Sequence, residues 1–189
     1  KNKTEKQIQA MRESGKILRD VLLKIEEIIK PGITTREIDK FAHRYIVSRG
    51  AKPSCLGYMG YPATTCISVN EQVVHGIPSD LALKEGDIVG VDLCVLYKGM
   101  HTDAARTFCV GKVSSENQQL VEATKQAFFE GIKHIKAGSR VGDIGEAVQK
   151  YAEGLGYGVV RDLQGHGVGC QLHEDPGIPN FGKAGTGEF

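Results

Sequence analysis

Ile29-Lys30-Pro31-Gly32 returns as Ile135-Lys136-Ala137-Gly138, an offset of 106 residues. At that offset Ile38 also meets Ile144, Tyr45 meets Tyr151 and Gly50 meets Gly156. Each block reads as a helix, a tight stop, a capped helix, a glycine and an extended stretch. Two unrelated helix–turn–helix connectors could coincide at one or two positions. Six matches in register point instead to a duplicated α/β unit. We therefore expect one domain of 189 residues built from two like halves, about 1–112 and 113–189. Duplicated halves pack about a pseudo-twofold axis, and the seam between them is where a ligand cleft is expected.

Local signals fill in the halves. Thr4 with Gln7 and Thr34 with Glu37 are capping boxes, each opening a helix whose apolar residues recur at helical spacing. Those residues are Ile8, Met11, Leu18, Val21, Leu22, Ile25 and Ile29 in the first helix, and Ile38, Phe41, Tyr45 and Ile46 in the second. From Cys66 the composition turns β-branched: 66–69, Val73-Val74 and 88–96 read as strands, with 104–110 returning after a turn at Lys98-Gly99. Helices are expected over about 115–135 and 141–154, and a short strand over 157–160.

Asp92 sits in the apolar run Ile88-Val89-Gly90-Val91-Asp92-Leu93, where a charge is costly unless it is paired or bound to metal. Asp103 follows eleven residues later. Folding the hairpin about Tyr97 and Lys98 sets the two carboxylates nearly opposite, about 5 Å apart at Cβ, which suits a metal pair spaced ~3.5–4 Å. Read as ordinary strand-end acids, they would need no more than Arg106 as a partner for Asp103. His166 stands between glycines in Gly165-His166-Gly167-Val168-Gly169, so it has no neighbouring side chains to pack against. His173 and His75 lie in polar or glycine-flanked loops. Three such histidines with two carboxylates make a hydrolytic metal site the leading reading. His43, His101 and His134 lack that context and read as structural.

Other chemistries find little support. With 24 Lys and Arg against 23 acids the net charge is +1, which argues against a polyanion-binding surface. The glycine run at 165–169 is neither a phosphate loop nor a dinucleotide fingerprint, and no serine stands in a nucleophile elbow. Five scattered cysteines read as reduced thiols, partly buried, in a cytosol-like compartment. No run is long and apolar enough to span a bilayer. Residue 1 is Lys, so we expect the natural start to lie upstream.

Cys55-Leu56-Gly57-Tyr58-Met59-Gly60-Tyr61-Pro62, Ser68-Val69-Asn70-Glu71, His75-Gly76-Ile77-Pro78, Asp92, His101-Thr102-Asp103 and Gly165-His166-Gly167-Val168-Gly169 resemble the signature blocks of type I methionine aminopeptidases, in family order and across essentially the whole chain. The resemblance implies the pita-bread fold of the α/β (α+β) class, two pseudo-symmetric halves with an antiparallel sheet covered by helices. It implies removal of initiator methionine from nascent polypeptides, at the ribosome, in the cytoplasm, or in an organelle if a lost N-terminus carried a targeting segment. No specific nucleic acid or membrane is expected as a partner. Asp92, Asp103 and His166 match three of five ligands to two divalent metal ions of the Co, Mn, Fe, Zn or Ni type, Asp103 bridging both. His75 and His173 match the catalytic histidines that contact the substrate peptide and stabilise the tetrahedral intermediate. Cys55, Tyr58, Tyr61, Cys66 and His75 match the methionine pocket, whose sulfur and aromatic lining suits a thioether. Leu172 stands where many relatives carry an aromatic residue.

The family's other two ligands are glutamates near its C-terminus, one of them the proposed general base, and this chain ends at Gly187-Glu188-Phe189 before both. Glu174 and Glu188 do not stand in that motif. The expectation is an incomplete metal site and weak or absent activity in the chain as written. Two alternatives remain: a proline-directed aminopeptidase of the same fold, disfavoured by the pocket block, and a non-catalytic pita-bread module that binds peptides or proteins. Retention of the aspartates and histidines argues against the second.

Overall fold

The computed structural model describes residues 2–189. The chain forms two compact units: one comprises residues up to Ser114 together with Val168–Leu172, the other Ser115–Gly167 together with His173–Phe189.

In the first unit, helix α1 (Glu5–Ile28) begins where the sequence signals it. Thr4 Oγ1 accepts from the Gln7 amide at 3.3 Å and Gln7 Oε1 accepts from the Thr4 amide at 2.8 Å, so two otherwise orphaned donors are satisfied. Its buried face is Ala10, Ser14, Ile17, Leu18, Val21, Leu22 and Ile25, spaced at three and four residues. Helix α2 (Thr35–Ser48) opens with the same reciprocal box between Thr34 and Glu37 and buries Ile38, Ala42 and Ile46. Strands β1 (Lys52–Pro53), β2 (Thr65–Val69), β3 (Ile88–Tyr97) and β4 (Met100–Cys109) form an antiparallel sheet around β3. β4 pairs along the whole of one edge of β3, while β2 and β1 share the other. Lys98 and Gly99 close the β3–β4 hairpin with φ of 50° and 79°, the double left-handed turn that matches strand twist.

Period two divides β3 between two environments. Val89, Val91, Leu93 and Val95 are fully buried, and with Ile67, Val69 and Phe108 they form the core against α1 and α2. Asp92 and Cys94 belong to the other face.

The second unit holds α3 (Ser115–Ile132), α4 (Val141–Gly154), β5 (Gln164–Gly167) and β6 (Glu174–Pro179), with β5 and β6 antiparallel. α2 starts at Thr35 and α4 at Val141; α2 ends at Ser48 and α4 at Gly154, so both ends keep the spacing seen between Ile29 and Ile135. Gly32 and Gly138, equivalent at that spacing, both have left-handed backbones, with φ of 91° and 85°. Among the described residues no helix is long and apolar enough to cross a membrane.

Three expected elements differ. Val73-Val74 is not a strand but an exposed bend. The edge of β2 beside it is taken by Gly76, whose carbonyl accepts from the Ile67 amide at 2.8 Å, leaving the valines no partner. Residues 157–160 are likewise irregular, with the Tyr157 amide bonded back to Ala152 at the end of α4. α3 stops at Ile132, and Ile135 belongs to the turn that follows.

Candidate functional site

The Lys98-Gly99 turn fixes the register: Cys94 pairs with Asp103, and Asp92 with Ala105 on one side and Cys66 on the other. Asp92 and Asp103 are therefore diagonal neighbours rather than directly opposed, because the turn centres one residue later than a Tyr97-Lys98 turn would. Diagonal side chains still reach one another across an antiparallel pair. One oxygen from each carboxylate and Sγ of Cys94 all lie within 4.8 Å of each other, and no other such group of three occurs among the described residues. Burial, followed by the adjacent Asp103 carboxylate, pushes the Asp92 carboxyl up to about 8. Two half-buried carboxylates this close oppose each other's ionisation, and a cation would relieve both costs. The donor set thus fits a divalent metal.

Beside the carboxylates lies a band of neutral thiols. Each neighbour in the series Tyr61, Cys66, Cys55, Cys94 and Asp103 is close enough to shift the protonation of the next. The neighbouring Cys66 lowers the Cys55 pKa, but Cys94, burial and the Asp92 charge outweigh it and push Cys55 up to about 12. Cys66 is raised by the neighbouring Cys55 and by burial. Cys94 is lowered by Cys55, yet burial and the two carboxylates raise it further than that. These groups stay protonated, so Cys55, Cys66 and Tyr61 present a polarisable, uncharged wall. Tyr58 lies in a single helical turn, Tyr58–Gly60, at 40% exposure, with its amide bonded to the Cys55 carbonyl at 3.0 Å.

His75 is presented by a pinned backbone. Gly76 N donates to Ser68 Oγ at 3.1 Å, and the Gly76 carbonyl accepts from Tyr61 Oη at 3.1 Å as well as from Ile67. A Cβ at position 76 would collide with the Ile67 carbonyl, so only glycine allows this approach. His75 itself has φ of 60° and is exposed. A left-handed histidine next to an anchored glycine is a local cost of the kind that functional loops carry.

In the second unit, His166 on β5 and His173 just before β6 bring their rings to 4.1 Å between centroids. The Gly167 carbonyl lies 2.9 Å from Nδ1 of His166. A carbonyl can only accept, so Nδ1 carries the proton and the lone pair is on Nε2, the arrangement typical of a metal-ligating imidazole.

His43 and His101 are held in place by Thr64 at 2.9 Å and Ser54 at 2.8 Å respectively. The residue that sequence reasoning passed over is Cys94. Its spacing of two from Asp92 in a strand was the available signal, since that spacing puts both on one face.

Comparison with known proteins adds an independent finding. Residues 9–188 match the model of metallopeptidase family M24. The chain is 48% identical to "Methionine aminopeptidase" of Clostridium perfringens, over 98% of this chain and 74% of that protein. It is 42% identical to "Methionine aminopeptidase 1" of Bacillus subtilis, over 98% of this chain and 75% of that one. The crystal structure of methionine aminopeptidase from Rickettsia prowazekii superposes with a TM-score of 0.97 at 42% identity, covering 99% of this chain and 75% of the other.

Proposed function

The chain belongs to metallopeptidase family M24 and, within it, to the methionine aminopeptidases of bacterial type, and from that premise we propose that it hydrolyses the peptide bond after an N-terminal methionine at a metal centre held by Asp92, Asp103 and His166. The observation that carries this reading is the pair of carboxylates on one face of β3 and β4, with oxygens within 4.8 Å. Divalent ions bound there, two of the Co, Mn, Fe, Zn or Ni type, would polarise the scissile carbonyl and lower the pKa of water.

The protein's own groups do the rest. The Cys55, Cys66 and Tyr61 wall, neutral and polarisable, receives the thioether and gives a charged side chain no partner. His75 and His173 are the hydrogen-bonding groups for the substrate peptide and for the negative charge that develops on its carbonyl oxygen. Substrates are nascent polypeptides, whose initiator methionine first becomes accessible as they leave the ribosome, in the cytoplasm. The thioether-suited wall favours methionine over a proline-directed specificity.

A Met-Ala-initiated peptide and an Ala-Ala-initiated one, assayed with added divalent metal on the chain extended through the two glutamates that the family resemblance implies, test this. Each missing methylene in an apolar pocket costs about 1–3 kcal/mol, so we expect the first to be preferred by ~100-fold or more. Asp103→Asn should lower kcat/KM by at least ~100-fold, since even outer-shell changes cost 10–100-fold in metal affinity or activity. Equal turnover of both peptides, or an unaffected Asp103→Asn protein, would defeat the reading.

A further inference from the structure

We propose that the Cys94 thiolate is a third donor to the ion held by Asp92 and Asp103, so that this centre favours thiophilic divalent ions such as zinc, cobalt and cadmium over manganese and magnesium. The inference rests on the metallopeptidase reading above and narrows its metal.

Position is the first support. Cys94 is two residues from Asp92 on β3 and is the cross-strand partner of Asp103 on β4, so its side chain is on the carboxylate face between the two acids. It is 3% exposed. Distance is the second. Donors each ~2.0–2.3 Å from one ion can be at most ~4.6 Å apart, and Sγ and the two carboxylate oxygens, all within 4.8 Å of one another, lie close to that limit. Small side-chain rotations bring all three onto one ion. Cys55 and Cys66 are close by, but neither belongs to a donor group this compact among the described residues.

Chemistry is the third. A thiol packed against two carboxylates gains little from apolar contact, whereas a thiolate on a divalent ion shares their role. On binding, the metal–sulfur bond replaces S–H, the proton leaves to solvent, and no electron changes hands. Thiolate donors select softer ions, and all-oxygen sets select magnesium and manganese.

Cobalt(II) separates this proposal from the reading beneath it. After treatment with a chelator, the protein is loaded with cobalt and its absorption recorded. A visible ligand-field band reports that the ion is bound, and a near-ultraviolet sulfur-to-cobalt band reports the thiolate. We expect both bands in the unaltered protein. Cys94→Ser should keep the visible band, lose the near-ultraviolet one, and bind cadmium at least ~10-fold more weakly relative to manganese. Cys55→Ser and Cys66→Ser should keep both bands. A visible band without its near-ultraviolet companion in the unaltered protein, or a near-ultraviolet band that survives Cys94→Ser, overturns the thiolate and leaves the metallopeptidase reading standing. Absence of any visible band overturns both. If Cys94→Ser does not fold, cadmium NMR of the unaltered protein decides, because sulfur ligation shifts the resonance far downfield of an oxygen and nitrogen site.

Discussion

The Gly76 carbonyl accepts from the Ile67 amide at 2.8 Å and from Tyr61 Oη at 3.1 Å, and the residue before it is His75 in a left-handed conformation. A methyl group at position 76 must push this loop off β2. We expect Gly76→Ala to cost roughly 1–3 kcal/mol in denaturant unfolding and to lower kcat/KM by more than the stability loss explains, since His75 moves with the loop. An unchanged kcat/KM would detach His75 from the chemistry. Asp92 gives a second outcome. Its carboxyl titrates near 3.8 in ordinary surroundings and is pushed up to about 8 in the folded, metal-free chain by burial and by Asp103. Between those values the folded state holds a proton that the unfolded state has released. This contribution to stability is complete below the unfolded value and is lost as pH rises towards the folded one. Urea unfolding of chelator-treated protein should therefore show falling stability between about pH 5 and pH 8, a slope that Asp92→Asn flattens. His166 and His75 were marked out as candidates by adjoining glycine, on both sides of His166 and after His75. Cys94 was not, because a cysteine in an apolar strand looks the same whether it packs or ligates.

The helices were legible at their starts, where Thr4 with Gln7 and Thr34 with Glu37 leave a local, self-contained signal. Strands were legible only where a partner edge exists. Val73-Val74 has the β-branched composition of a strand, but Gly76 occupies the edge it would need, and no property of two valines reports that. The carboxylate register was two residues off for a related reason: Tyr97-Lys98 and Lys98-Gly99 are both plausible turns by composition, and only the pair able to take two left-handed conformations closes the hairpin. β3 carries the core and the site on alternate residues, so substitutions along it should sort by position. Leu93→Ala is expected to cost about 2–5 kcal/mol in denaturant unfolding while leaving the preference for Met-initiated peptides intact. A Leu93→Ala protein of full stability would contradict the packing described for that face.

The repeat at an offset of 106 residues announced the matched helices α2 and α4, but it did not announce how the chain is shared between the two units. Val168–Leu172 belongs to the first unit although residues on both sides of it belong to the second. Within those five residues the Gly169 carbonyl accepts from the His101 amide at 2.7 Å and Leu172 is buried. Such exchange of chain is invisible to pattern reading, because Gly167-Val168-Gly169 looks like a loop whichever unit it joins. It has a consequence for taking the protein apart. Cutting once, at Ser114, yields no intact first unit: the His101 amide loses its acceptor, and the place filled by Leu172 stands open. A faithful dissection would have to supply 168–172 as a separate peptide, and would leave raw chain ends at Gly167, next to His166, and at His173. A cut that follows the order of the chain therefore cannot free the first unit whole.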